Sequence, residues 1–173
     1  MPVVTLSLYV HAPPERCFDL SRSIDLHLRS AAHTGEQAVA GVTSGLIGMG
    51  QEVTWRARHL GVMQHLTSRI VAYDRPWHFR DAQVRGAFRR FDHDHRFEAQ
   101  GDGTRMTDVF DYDAPFGIAG RAAERLFLTA YLHRFLARRN ADIKAVAESD
   151  EWRAYLPPTN EILERGGPRR VDR

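Results

Sequence analysis

Cysteine is almost absent from this chain of 173 residues. Cys17 stands alone, which excludes an internal disulfide and any cysteine-rich zinc site. Lysine is equally scarce, since Lys144 is the only one among 24 basic residues; a GC-rich, bacterial coding sequence would give the same preference for arginine. Against 22 acidic residues the formal net charge is +2, too small to select a polyanionic partner. The basic tail "GGPRR" has no interleaved aromatics, so no nucleic-acid role is expected. No run of about eighteen apolar residues occurs, and "MPVVTLSLYV" carries no basic-then-apolar leader. The reading is a soluble, cytoplasmic protein without stable membrane anchoring.

What is present suffices for one well-filled core: 43% of residues are apolar and 27% charged. Residues 3–10 alternate Val4, Leu6, Leu8 and Val10 against Thr5, Ser7 and Tyr9, which predicts a strand with one buried face. The prolines of "HAPPERCFDL" end that ladder and open a short helix, with Cys17 on its apolar face. A second helix, "SIDLHLRSA", begins at a serine cap. A short strand near residues 36–40 and the glycine-rich "GVTSGLIGMG" follow, the latter read as a corner needing positive φ or as a mobile cavity lip. It lacks the lysine and hydroxyl of a phosphate loop.

From residue 51 to residue 113 the alternation is nearly continuous and predicts an antiparallel meander, its last hairpin turning at the aspartate-glycine pair of "GDGT". Residues 119–146 then read as a long helix whose middle, "LFLTAYL", is apolar around most of its circumference. The sheet, a ligand cavity or a second subunit are the candidate covers for it. Residues 149–173, with "LPPTN" and "RGGPRR", read as a partly ordered tail after a single domain spanning residues 1–148.

Strand, two short helices, meander and long terminal helix form an α+β order that resembles the START-like, or SRPBCC, superfamily. The resemblance is carried by "HAPPERCFDL", by "TSRI" before an aromatic and an aspartate, by "FRDAQVRGAFRRFDHDHRFE", and by "GTRMTDVFDYDAPFG" running into the helix. Within the superfamily the chain is similar to the ligand-binding and polyketide cyclase/dehydrase branch. The resemblance implies a helix-grip fold, a curved antiparallel sheet of six to seven strands around the long helix, enclosing a cavity for an apolar or amphipathic small molecule. It implies no fixed catalytic set, so the residues lining the cavity must carry the function.

If the apolar parity of each strand faces the helix, the cavity receives Trp55, Ala57 and His59, then Leu66 and Ile70, then Trp77, Phe79, Asp81 and Gln83, then Phe91, His93, His95 and Phe97. Met106, Asp108, Phe110 and Tyr112 are taken as inward on the last strand, with Phe127 and Tyr131 added from the helix. His133 is read as a packed or capping residue, and the arginines of "FLARRN" as solvated surface. The enclosed polar groups must hydrogen-bond one another, water or ligand. His93, His95 and Asp108 are the candidates for acid-base chemistry, because a carboxylate beside an imidazole tunes it as a general base.

Two histidines one residue apart on a strand can also reach one metal ion. The nearest known pattern, that of cupins, is imitated by Gly86, His93, His95 and Glu98, but the glycine lies one residue too far upstream and Glu98 has the wrong parity. Neither a metal nor another cofactor is expected. The first expectation for function is binding of a hydrophobic, lipid- or polyketide-like molecule. The second is a cyclase/dehydrase-type enzyme using the same histidines, and the third a homodimer formed through the apolar helix face.

Overall fold

The computed structural model describes residues 2–59, 61–113 and 127–157. Strand β1 (Val3–Val10) leads into helices α1 (Pro14–Ser21) and α2 (Ile24–Ser30). Pro14 occupies the first turn of α1, where its missing N–H costs nothing. Ser23 caps α2, its hydroxyl accepting from the backbone N–H of Leu26 at 3.3 Å. Six further strands follow: β2 (Gln37–Gly41), β3 (Glu52–His59), β4 (Val62–Asp74), β5 (His78–Arg85), β6 (Arg90–Gln100) and β7 (Gly103–Asp113). Helix α3 (Thr129–Ala147) closes the core. The expected start of that helix, from residue 119 to residue 126, lies outside the described residues.

All seven strands form one antiparallel sheet in the order β1-β7-β6-β5-β4-β3-β2. The meander therefore runs strand by strand to β7, and β1 adds to its far edge. One face carries α1, α2 and α3, as expected for a sheet that buries a single face. Val10, Phe18, Phe79, Phe97, Met106, Ile143 and Val146 build the core at the α1 end. Phe91, Phe110, Tyr112, Leu132 and Leu136 build a second cluster farther along α3. Cys17 is buried in the first.

The turn of the last hairpin sits one residue earlier than "DG" predicts. Gln100 pairs with Gly103, leaving Gly101 and Asp102 as the turn, with Gly101 at φ +59°. Gly103 is needed for a different reason: a Cβ there would stand 2.3 Å from the Val10 carbonyl oxygen.

The glycine-rich segment is a corner with positive φ at Gly45 and Gly50. It is also pinned. Ile24 N–H donates to the Gly45 carbonyl (2.9 Å), Gly45 N–H donates to Asp25 (2.8 Å), and Arg22 donates to the Ile47 carbonyl (3.1 Å). Arg22 is itself held by Asp19, a buried carboxylate shared with Arg75. Beyond α3 the chain makes a 3₁₀ turn over Asp150–Ala154, and Trp152, Tyr155 and Leu156 pack on the core; residues 158–173 lie outside the described set.

Candidate functional site

Between α3 and the concave face of the sheet lies a cavity of about 300 Å³, at the lower end of the range for small-molecule sites. Its apolar walls come from Trp55, Ile70, Phe79, Phe88, Phe91 and Phe110 on the sheet side and from Leu132, Phe135 and Leu136 on α3. The pinned corner contributes Ile47. At the end of β3, His59 Nδ1 lies 2.6 Å from the Tyr131 hydroxyl and joins the sheet to the helix. Burial, the largest influence on it, lowers the pKa of His59.

The polar end of the cavity is set by sheet register. His93 and His95 occupy successive inward positions on β6; Asp81 of β5 pairs with His93, and Asp108 of β7 pairs with His95. Four inward side chains on three adjacent strands thus meet as two neighbouring cross-strand pairs. The bonds cross diagonally as well as directly. His93 Nε2 is 3.0 Å and His95 Nδ1 2.6 Å from the same Asp108 oxygen, while His95 Nε2 is 3.0 Å from Asp81. Asn140 of α3 donates to the second Asp108 oxygen. Phe79 stacks on His95 with centroids 4.1 Å apart, and Phe110 meets His93 edge-on at 5.1 Å.

Carboxylates only accept, so each imidazole nitrogen facing one carries a proton. His93 is then an Nε2–H tautomer, and His95 holds protons on both nitrogens between two anions. The pKa directions agree with that assignment. Burial disfavours a charged His95, but the Asp108 carboxylate and hydrogen bonds to Asp108 and Asp81 outweigh it, and its pKa is raised. For His93, burial and then the neighbouring His95 charge prevail over Asp108, and its pKa is lowered. Burial alone would raise the two carboxyls, yet His95 and His93 hold Asp108 well below the usual range and Asp81 below it.

Most of the sequence-predicted residues meet here. Trp55, His59, Ile70, Phe79, Asp81, Phe91, His93, His95 and Tyr131 line the cavity, and Asp108 stands directly behind it. Five others do not. Trp77 is 48% exposed because it sits in the turn before β5, where strand parity no longer applies. Gln83 instead brackets the backbone of Phe88, its amide bonding both the Phe88 carbonyl (2.8 Å) and N–H (3.2 Å), and so places that ring in the cavity. Phe97 is buried against Phe18 of α1, beyond the cavity's end. Tyr112 is buried with its hydroxyl on Thr129 (2.8 Å). Phe127 is 68% exposed, in the π-helical residues 127–128 that precede α3.

The reading of the "FLARRN" arginines as solvated surface is corrected for Arg139, and the neighbouring Asn140 is also enclosed. Arg139 and Asn140 are buried; Arg139 lines the cavity, with Nη2 bonded to the Ser21 carbonyl (2.6 Å) and Nη1 without a partner among the described residues. Helical spacing from Leu132 through Leu136 to Arg139 is the signal that could have found it. His27 and Glu36, 3.1 Å apart, also line the cavity. His133 is exposed.

Comparison with the curated proteins gives no match. Among solved structures, the protein TTHA0849 of Thermus thermophilus shares 20% identity over 84% of this chain and 99% of its own, with a TM-score of 0.66. The major latex-like protein 151 of Panax ginseng shares 17% over 86% and 98%, at 0.63. A START superfamily protein of Mycobacterium smegmatis shares 11% over 84% and 97%, also at 0.63. At these identities the likeness establishes the helix-grip fold. The profile described as polyketide cyclase / dehydrase and lipid transport matches residues 1–148, and the chain belongs to that family.

Proposed function

We propose that the protein binds a hydrophobic or amphipathic small molecule, lipid- or polyketide-like, in the cavity between sheet and α3, with its polar group oriented by Asp81, His93 and Arg139. The observation that carries this reading is the pairing of aromatic and aliphatic walls with a buried guanidinium nitrogen that has no partner among the described residues. A buried donor left unmade costs about 1–3 kcal/mol, which a ligand carbonyl or carboxylate would recover. Family membership is consistent with an apolar cargo.

The test is native mass spectrometry of the protein purified from its own host, followed by titration of the emptied protein with a fluorescent apolar dye and displacement by medium-chain fatty acids and aromatic acids. A co-purifying organic acid, or micromolar displacement weakened at least tenfold in Arg139→Met, is expected. Failure of both dye and acids to bind at millimolar concentration would overturn the reading.

A second reading, a cyclase/dehydrase-type enzyme, has one observation in its favour. His93 is held by Asp108 through Nε2 and burial lowers its pKa, which leaves Nδ1 to act as a base at the cavity wall. It requires turnover of an aromatic polyketide-like substrate that disappears in His93→Ala.

A further inference from the structure

A histidine that binds a metal needs one nitrogen with a free lone pair toward the ion and the other tied down by a hydrogen bond, most often to a carboxylate. The quartet supplies that second hydrogen bond twice over, and an ion would take the place of the proton between His95 Nε2 and Asp81. His93 Nε2 and His95 Nδ1 both point to Oδ1 of Asp108, and Asn140 secures its Oδ2. The opposite nitrogens, Nδ1 of His93 and Nε2 of His95, lie 3.8 Å and 3.0 Å from Oδ1 of Asp81. One donor atom from each of Asp81, His93 and His95 lies within 4.8 Å of the other two. Donors about 2.1 Å from a shared ion stand about 3.0 to 3.5 Å apart at octahedral to tetrahedral angles. All three side chains line the cavity, whereas Asp108 does not.

We propose that Asp81, His93 and His95 bind one divalent first-row transition ion, with Asp108 and Asn140 as the outer support that fixes both imidazoles and with the remaining coordination positions open to the cavity. Two imidazoles among three protein donors select zinc, iron, manganese, cobalt or nickel over calcium and magnesium. Asp81 and Asp108 together match the charge of such an ion. Glu98, which strand parity turns away, has no part in the site. The third ligand comes from the neighbouring strand β5, at the register position facing His93.

The site does not depend on the cavity reading, but it takes over Asp81 and His93, so that Arg139 and the open coordination positions would receive the polar group of a ligand. It excludes the use of His93 as a free base, because a metal-bound Nδ1 has no lone pair for a proton.

The test uses the full chain, stripped with a chelator and titrated with Co²⁺. One Co²⁺ per chain should bind at micromolar or lower Kd, with visible d–d bands more intense than those of the hydrated ion. Asp81→Asn should weaken binding at least about 100-fold, and Asn140→Ala, which touches only the outer support, about tenfold. His11→Ala, which alters an exposed histidine beside Asp102, should change nothing. Circular dichroism checks that each variant folds. X-ray absorption of the Co²⁺-loaded unaltered chain needs no variant and should show two imidazole donors. A hydrated-ion spectrum, affinity unchanged in folded Asp81→Asn, or fewer than two imidazoles would each overturn the proposal. Fatty-acid binding without Co²⁺ binding would sink this inference and leave the cavity reading standing; the reverse result would sink the other.

Discussion

Nδ1 of His95 lies 2.6 Å from Oδ1 of Asp108, and both side chains are 3% exposed. A short, buried, charge-assisted contact of this kind cannot be halved cheaply, since removing one partner strands the other's charge out of water. Asp108 also accepts from His93 and Asn140. Asp108→Ala should therefore cost about 3–5 kcal/mol in urea unfolding. Glu98→Ala, at an exposed position of β6, serves as the control and should stay within about 0.5 kcal/mol. A loss below about 1 kcal/mol for Asp108→Ala would mean that the quartet does not hold the sheet together.

The quartet shows what strand parity can and cannot reveal. Period-2 alternation in "FDHDHRF" is enough to turn His93 and His95 inward, and the neighbouring alternations do the same for Asp81 and Asp108. Which inward residues become partners depends on register, fixed by turns such as Gly101–Asp102 and by the bulges between β4 and β5, and alternation is blind to it. Parity also fails where a strand stops, as at Trp77, and along the strand it cannot tell cavity from solid core, as at Phe97 and Tyr112. Arg139 and Asn140 escape any reading that weighs residue type above helical position. A charged residue one turn beyond Leu136 on a helix that grips a cavity is inward whatever its composition suggests.

Ala57 is 3% exposed and lines the cavity beside Trp55. A larger side chain there would grow into open space instead of into packed neighbours, so the usual penalty for overfilling a core is reduced. Ala57→Phe should weaken binding of an apolar dye at least tenfold while shifting the unfolding midpoint by less than about 3 °C. Undiminished dye binding in the folded variant would place the dye site elsewhere on the molecule.

The two glycines of the last hairpin should respond differently to the same change. Gly101 needs its positive φ, and Ala at such a position costs about 1 kcal/mol, a loss that Asn largely avoids. Gly103 has ordinary backbone angles but sits against β1, where a Cβ would press into the Val10 carbonyl at 2.3 Å and the Tyr9 ring at 2.8 Å. Gly103→Ala should therefore cost more than Gly101→Ala, about 2 kcal/mol or above. Urea midpoints of Gly101→Ala, Gly101→Asn and Gly103→Ala decide this, and the reverse order for the two alanine variants would refute the close approach of β1 and β7.

Glu36, whose side chain is only 5% exposed, faces His27 at 3.1 Å, with the charges of His59 and Arg139 also acting on it. Burial pushes its pKa up, but the His27 hydrogen bond and those charges outweigh burial, and the folded value is lowered. A carboxyl with a lowered folded pKa stabilises the fold above its unfolded value of about 4.3, and the contribution disappears as pH falls through the folded value. Glu36→Gln should therefore be less stable than the unaltered protein at pH 7, and the difference should close as pH drops below about 4. Urea unfolding at half-unit steps from pH 7 to pH 3 measures it. A gap that stays constant or widens toward low pH would show that the His27–Glu36 contact contributes no charge-dependent stability.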